Sequence, residues 1–149
     1  MFPKRPLLTT LVLIGMIGAL SVRANAQSDL DCRKYFAAGQ EWSLPSDSGT
    51  TVVVDKVEDW RDETVVHVSI FHIKAPPGST AVIAMTEIAH APFLCRALQG
   101  SVAKLIRTDA SPSSGFESGY KQWQDAKGGV FTIGVTEILD LMLKKSPGN

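Results

Sequence analysis

The sequence lacks the short motifs by which many enzymes and nucleotide-binding proteins are recognised. It contains no HExxH motif, no CxxC pair, no glycine-rich phosphate-binding loop and no GxSxG nucleophile turn. Internal repeats, heptads and low-complexity tracts are also missing from it. A catalytic site would therefore have to be assembled by the fold from isolated residues. The motifs predict neither a catalytic residue nor a cofactor.

An excess of basic residues is missing as well. The chain has 15 Lys and Arg residues against 15 Asp and Glu residues. Three of the bases, Lys4, Arg5 and Arg23, lie in the first 26 residues, which hold no acid, so that residues 27–149 have 12 bases, 15 acids and a formal charge of −3. Such a charge offers no attraction to nucleic acid or to an anionic membrane surface.

The longest apolar run is too short to span a membrane. It covers residues 7–20, which is 14 residues, whereas a spanning helix needs about 20. A basic start precedes the run, and the small-x-small pattern Ala24-Asn25-Ala26 follows it. This arrangement predicts a secretory signal peptide over residues 1–26 and a single periplasmic or secreted domain over residues 27–149. The alternative is an uncleaved anchor helix, which Arg23 disfavours because it ends the run early.

Cysteine is scarce, and its only two positions are Cys32 and Cys95. Both fall in the predicted exported domain, where an even pair usually forms a disulfide. Such a bridge would close a loop with 62 intervening residues. The alternative is a reactive Cys95 thiol beside a histidine, which would leave Cys32 unpaired in an oxidising compartment.

The densest β-forming stretch covers residues 64–73 and predicts a central strand. Its apolar residues occupy both faces of the alternation, and it is bounded by an acidic turn before it and by Ala75-Pro76-Pro77-Gly78 after it. A second strand is predicted at residues 50–57, antiparallel to the first, and further strands at residues 81–90 and 130–133.

Helical spacing of apolar residues predicts the remaining elements. A short helix is expected within residues 28–38, a long one over residues 92–107, one carrying Phe116, Tyr120 and Trp123, and a closing helix capped by Thr136. Trp42 and Leu44 fall in a predicted irregular link. The expected fold is a small α+β domain with a mainly antiparallel sheet of three to four strands, helices packed on one face, and one disulfide.

Three histidines are the natural candidates for a metal site or a base. His67 and His72 are five residues apart on one predicted strand, which sends them to opposite faces. His90 could lie near either of them, with Glu87 three residues before it. His67, His90 and Glu87 are therefore weak candidates for a metal site, and the plainer interpretation is that the histidines hydrogen-bond within the sheet.

The turn between the first two strands combines an aromatic residue, a guanidinium and carboxylates. Asp59, Trp60, Arg61 and Asp62 are residue types found where small proteins bind other proteins. Catalysis by these acids is disfavoured, since a hairpin tip is exposed to water. Tyr120 is a further candidate contact, although an aromatic stripe on a helix is more often part of a core.

These features predict an exported protein-binding module, most concretely an inhibitor or immunity-type protein acting on another envelope or secreted protein. One alternative is a small hydrolase or metal-dependent enzyme that uses His67, His90 and Glu87. A second is an envelope structural or solute-binding module with a pocket between the helix at residues 92–107 and the sheet.

Overall fold

The structure is a computed structural model that describes residues 32–46, 48–74 and 85–144. The predicted signal peptide, the start of the first helix and the first part of the strand predicted at residues 81–90 lie outside these residues. The elements in chain order are α1 (helical residues 32–35), β1 (Glu41–Ser43), β2 (Thr51–Trp60), β3 (Glu63–Phe71), β4 (Ile88–Leu94), α2 (Cys95–Gln99), β5 (Lys104–Arg107), α3 (Phe116–Asp125) and α4 (Val135–Lys144).

The five strands form one antiparallel sheet in the order β4-β3-β2-β1-β5. The long central strand β3 lies between β2 and β4, as its two apolar faces predict. The predicted β2–β3 hairpin is confirmed, with Trp60 paired to Glu63. Its two turn residues, Arg61 and Asp62, have φ angles of 51° and 65°, the left-handed conformation that a two-residue hairpin turn requires. The α+β class is confirmed, with five strands rather than three or four.

One face of the sheet carries the main core. Val52, Val54, Val66, Val68 and Ile70 of β2 and β3 are all fully buried there. The side chains of α1, α2 and α4 pack on this face, and a disulfide between Cys32 and Cys95 joins α1 to α2. The predicted disulfide is thus confirmed, and three of the helices cover one face as expected.

The fourth helix, α3, covers the opposite face. Phe116, Tyr120 and Trp123 form its buried stripe and make a second, smaller cluster with Trp60 and Val130. Two β-bulges bring polar residues under this helix. The register of β2 shifts between Val54 and Lys56, and the pairing of β3 with β4 shifts between Val68 and Ile70. Because a bulge adds one residue to a strand, it turns neighbouring side chains to the same face.

The prediction of a long helix over residues 92–107 is wrong. This segment is the end of β4, the short helix α2 and the edge strand β5. Pro92 does not open a helix but lies in β4, at the sheet edge, where a missing N–H breaks no ladder bond. The pocket predicted between that helix and the sheet therefore does not form as expected.

Two smaller predictions also need correction. Trp42 lies in β1 rather than in an irregular link, paired with Val52 on one side and Leu105 on the other. The last predicted strand, at residues 130–133, is reduced to a single bridge between Phe131 and Phe93. The helix carrying Phe116 is confirmed. The closing helix is also present, but it begins at Val135, so Thr136 lies inside it rather than capping it. Within residues 32–46, 48–74 and 85–144, no helix has the length and apolar character needed to cross a membrane.

Candidate functional site

The structure brings two of the three histidines together beneath α3. His67 on β3 is fully buried, and its Nδ1 lies 2.9 Å from Nε2 of His90 on β4. The two rings are nearly parallel, with centroids 5.2 Å apart. The pairing of His67 with Pro92 places His90, two residues before Pro92, on the same face of the sheet as His67. Tyr120 and Trp123 of α3 meet the His67 ring edge to face.

The neighbouring carboxylate fixes how the protons of this pair are arranged. Glu58 Oε1 lies 2.9 Å from His67 Nε2. This oxygen does not lie along the direction of the ring N–H bond, so His67 Nε2 has no well-directed hydrogen bond among the residues described. A lone pair on Nε2 would still be repelled by the carboxylate, so we place the hydrogen there. His67 Nδ1 is then an acceptor, and His90 Nε2–H donates to it.

A second layer of polar contacts anchors α3 to the same strand pair. Tyr120 Oη donates to Glu58 Oε1 at 2.8 Å, and Gln124 Nε2 donates to Tyr120 Oη at 2.9 Å. Lys56 donates to Tyr120 Oη as well and makes an ion pair with Glu58 Oε2 at 3.0 Å. The bulge in β2 turns Lys56 toward α3 and so makes this arrangement possible. These residues form a connected polar network between sheet and helix.

Burial sets the ionisation of the network. It lowers the pKa of His67 to about 4; the charge of His90 acts in the same direction, and Glu58 opposes it. Burial also lowers the pKa of His90. For Glu58, burial acts to raise the pKa, but hydrogen bonds from Tyr120 and Lys56 outweigh it, so that the net pKa is lowered. The network thus holds two neutral imidazoles beside an ionised carboxylate.

A second polar cluster lies on the same face around Ser69, which is fully buried. Ser69 Oγ lies 2.7 Å from Asp55 Oδ2 and 3.0 Å from the carbonyl oxygen of Ala89, and it accepts a hydrogen bond from the Ser113 N–H. Burial raises the pKa of Asp55 to about 7, and the charge of Glu117 adds to this, against the Ser69 hydrogen bonds.

A protonated Asp55 fits this cluster better than an ionised one. The single Ser69 hydroxyl proton cannot serve two acceptors at once. If Asp55 carries a proton on Oδ2, it donates to Ser69 Oγ, and Ser69 in turn donates to the Ala89 carbonyl. The bonding pattern and the raised pKa therefore agree on a neutral Asp55.

The weak metal candidates are not assembled into one site. His67 and His90 are in contact, but Glu87 Oε1 instead accepts a hydrogen bond from Ser113 Oγ at 2.9 Å. His72 lies past the end of β3, exposed, with Nδ1 3.4 Å from Thr51 Oγ1. In the part of the chain that the structure describes, no three His, Cys, Asp or Glu side chains converge as ligands of a metal ion.

The predicted contact residues at the hairpin tip, defined here as Asp59, Trp60, Arg61 and Asp62, differ in exposure. The carboxylate of Asp59 is 71% exposed and pairs with Arg33. Arg61 and Asp62 are exposed, whereas Trp60 is half-buried and packs on Trp123, with ring centroids 4.4 Å apart. Arg61 Nη2 donates to the carbonyl oxygen of Lys127 at 3.0 Å. The tip is therefore held from below by α3 and by the chain that follows it.

Tyr120, the fifth predicted contact residue, belongs to the buried network. Only 9% of it is exposed, and its hydroxyl is occupied by Lys56, Glu58 and Gln124. It supports the hairpin rather than extending the exposed surface, and we leave it out of the contact surface proposed below.

A glycine allows α3 to approach the histidine pair closely. A Cβ atom added at Gly119 would lie 2.7 Å from His90 Cβ, which is shorter than side-chain contacts tolerate. Alanine normally favours a helix interior over glycine by about 1 kcal/mol. Overpacking costs about 1–3 kcal/mol, so we expect Gly119→Ala to lower the free energy of unfolding by about 1 kcal/mol, measured by urea denaturation.

Gly129→Ala is the matched control, because nothing lies within 4 Å of the added methyl group at that position. We expect it to change stability by no more than about 0.5 kcal/mol. If Gly119→Ala were stabilising, as at an exposed helix position, α3 would not be packed on His90 in solution.

A cavity of about 320 Å³ opens on the same face, away from the histidines. The cavity is lined by Glu41, Val53, Phe71, His72, Arg107, Asp109, Ser111 and Pro112. An ion pair of 2.6 Å between Arg107 Nε and Glu41 Oε2 lies in its wall. None of the predicted site residues faces it.

Sequence reasoning missed Glu58, Lys56, Asp55 and Ser69 as members of the polar face. Asp55 and Lys56 are adjacent, and strict alternation sends adjacent strand residues to opposite faces. Only the bulge turns both toward α3. The one available signal was polar residues interrupting an otherwise apolar strand, Val52-Val53-Val54-Asp55-Lys56-Val57.

The fold and this face define the chain as a small disulfide-bonded α+β domain with a polar network buried under one helix. No protein-family model, curated protein or solved structure matches it significantly.

Proposed function

We propose that the chain is an exported protein-binding module, an inhibitor or immunity-type protein that acts on another protein of the bacterial envelope or outside the cell. The observation that carries this proposal is the hairpin tip, whose charged side chains are exposed while its base is tightly held. The predicted signal peptide and the disulfide support an oxidising, extracytoplasmic location.

The rigidity of the tip favours binding. Two consecutive left-handed residues, Arg61 and Asp62, fix the turn, and Trp60 packs on Trp123. Below them the Glu58–Tyr120 hydrogen bond ties β2 to α3. A surface that is already ordered loses little conformational entropy on association, so more of the contact energy remains as affinity.

The chemistry of the tip suits a protein surface with charges of both signs. The Arg61 guanidinium lies 5.7 Å from the Trp60 ring centre, and Asp59 and Asp62 add carboxylates beside it. Arginine and tryptophan are among the residues most enriched at binding hot spots. Charges at such a rim set specificity and the association rate.

The enzyme alternative has less support from the geometry. A general base must reach a substrate, but His67 is fully buried and His90 lies beneath α3. Their lowered pKa values leave both imidazoles neutral and bonded to each other or to Glu58. This arrangement is better suited to holding α3 on the sheet than to proton transfer with a ligand.

The proposal is tested by retention of proteins from an envelope extract on the immobilised mature domain. We expect Arg61→Asn/Asp62→Gly to reduce retention of a specific partner by at least about tenfold, the effect of losing one good contact. Asn-Gly keeps the same type of turn, so the hairpin is preserved while the charges of the two turn residues are removed and that of Asp59 remains. Mass spectrometry of the retained proteins identifies the partner.

The control variant removes a matched charge pair elsewhere. Lys121 and Asp125 form an exposed i,i+4 ion pair on α3, and Lys121→Ala/Asp125→Ala leaves the net charge unchanged. We expect this variant to retain the partner as the wild type does. Equal retention by the tip variant and the wild type would refute the hairpin tip as the binding surface.

A further inference from the structure

The outer edge of β5 is open. This strand ends the sheet, and within the described ranges its only strand partner is β1. All of its residues, Lys104–Arg107, are exposed. Since only one side of a strand bonds to its neighbour, some N–H and C=O groups of β5 face outward without a described strand to receive them. A register shift against Glu41 and Trp42 of β1 adds one residue to β5 and interrupts its alternation.

The other edge of the sheet is covered at the end of β4 by an isolated bridge to Phe131. On β4, the Leu94 N–H donates to the carbonyl oxygen of Phe131 at 2.9 Å, and the Phe131 N–H donates to that of Pro92 at 2.8 Å. Pro92 itself has no N–H to offer at this edge. β5 has no such bridge among the described residues.

Apolar side chains accompany the open edge. Leu105 is 38% exposed and Ile106 is 50% exposed. Leu105 is paired with Trp42, and the ring of Tyr35 stacks on Trp42 with centroids 5.0 Å apart. The edge thus combines free backbone groups with apolar anchors for alternate side chains, the two features by which a sheet edge binds an extended peptide.

The charges of β5 decide which strand fits. Lys104 and Arg107 stand at its two ends. Arg107 already pairs with Glu41, whereas Lys104 has no ion pair among the described residues. If two copies paired antiparallel through this edge in centred register, Lys104 of each would face Arg107 of the other, and directly opposed like charges destabilise a strand pair. Self-pairing would bring Lys104 against a like charge, whereas a strand with a carboxylate opposite Lys104 would be matched.

We propose that the open edge of β5 binds an extended, acidic segment of a partner protein, which adds to the sheet as a sixth strand. Backbone hydrogen bonds supply affinity, Leu105 and Ile106 contact apolar side chains of the segment, and Lys104 selects for an acid. This inference rests on the proposed protein-binding function and assigns a second surface, apart from the hairpin tip, together with the kind of segment it accepts.

The test is selection of displayed random peptides of about twelve residues on the oxidised mature domain, followed by affinity measurement of the enriched peptides. We expect enriched sequences with an acidic excess and with β-branched residues beside the acid. Lys104→Glu should weaken their binding by at least about tenfold, and N-methylation of alternate peptide amides should do the same, since each removes a specific contact.

Lys121→Glu is the matched control, because it makes the same charge change on the exposed face of α3. We expect it to alter binding by less than about twofold at moderate salt, where distant surface charges are screened. The proposal is overturned if no peptide is enriched, if enriched peptides lack an acidic excess, or if Lys104→Glu binds them as the wild type does.

Running Arg61→Asn/Asp62→Gly through the same selection separates the two surfaces. Peptides that bind this tip variant but not Lys104→Glu support the β5 edge. Peptides lost on the tip variant and kept by Lys104→Glu would overturn the edge proposal while supporting the hairpin tip. If the extract experiment fails while the peptide selection succeeds, the result counts against the proposed function and still demonstrates a peptide-binding edge.

Discussion

The free energy of unfolding of Asp55→Asn minus that of the wild type is expected to rise by about 3 kcal/mol as the pH increases from about 4 to about 6.5. The reason is the buried position of Asp55, which raises its pKa from 3.8 to about 7. Above pH 3.8 the unfolded chain releases a proton that the folded chain keeps. The wild type therefore loses stability at this residue as the pH rises through that window, and asparagine removes the loss.

His67→Asn is expected to have the opposite effect. Burial lowers the pKa of His67 from 6.5 to about 4, so below pH 6.5 the unfolded chain takes up a proton that the folded chain refuses. This contribution to stability falls as the pH falls, by about 3 kcal/mol in all. Without His67, stability relative to the wild type should decrease as the pH rises. The asparagine Oδ1 retains an acceptor for the His90 N–H.

The two contributions nearly cancel in the wild type. Each changes the free energy of unfolding by about 1.4 kcal/mol per pH unit within the shared window, with opposite signs. The pH profile of stability of the double variant Asp55→Asn/His67→Asn should therefore run parallel to that of the wild type, although the profile of each single variant diverges from it. Urea denaturation at a series of pH values measures all four profiles. If the pH profiles of both single variants ran parallel to that of the wild type, neither Asp55 nor His67 would be held in its neutral form by burial.

The central strand could be predicted because its own residues decide its state. β-branched and aromatic residues fill both faces of β3, and breakers mark its end, so local preference and tertiary position agree. The same holds for α3, where Phe116, Tyr120 and Trp123 recur at helical spacing and are the residues that become buried. The cysteine pair was equally decisive, since a chain with only two cysteines has one possible intramolecular pairing, and the structure forms it.

The prediction of a helix over residues 92–107 failed because the helical spacing of its apolar residues is accidental. Leu94, Leu98 and Leu105 recur as on a helix, but Leu94 is buried in β4, Leu98 packs from α2 and Leu105 is exposed on β5. Gly100 and Ser101 end α2 after five residues, and β1 offers an edge with which β5 can pair. Pairing with a distant strand overrode the local signal, and β1 itself, only three residues long, gave no signal of its own.

The candidate site shows the same division between local and distant causes. The exposed hairpin tip follows from a turn that lies between two strands already evident in the sequence. The polar network beneath α3 does not, since it depends on a bulge that brings the adjacent residues Asp55 and Lys56 to one face, and on the strand pairing that places His90 beside His67. A bulge leaves no pattern of its own in a single sequence, because any residue can occupy the extra position.

Reduction of the Cys32–Cys95 disulfide is expected to lower the free energy of unfolding by about 4 kcal/mol, the chain-entropy estimate for a loop of this size. The bridge spans 63 positions along the chain, and the two Cα atoms lie 6.0 Å apart. Both cysteines are buried in the main core, so the bridge closes a loop that contains β1, β2, β3 and β4. Without it, the unfolded chain regains the freedom of that whole segment, and the folded state is disfavoured by the difference.

Two forms of the protein separate this effect from packing. The reduced wild type keeps both sulfur atoms in the core, whereas Cys32→Ala/Cys95→Ala also removes them, so we expect the double variant to be less stable than the reduced wild type by about 1 kcal/mol or less per sulfur. Urea denaturation with and without reductant measures the first difference. The double variant, insensitive to reductant, is the control. Equal transition midpoints for the oxidised and reduced wild type would show that sheet pairing alone holds α1 and α2 together, and that the disulfide contributes no stability.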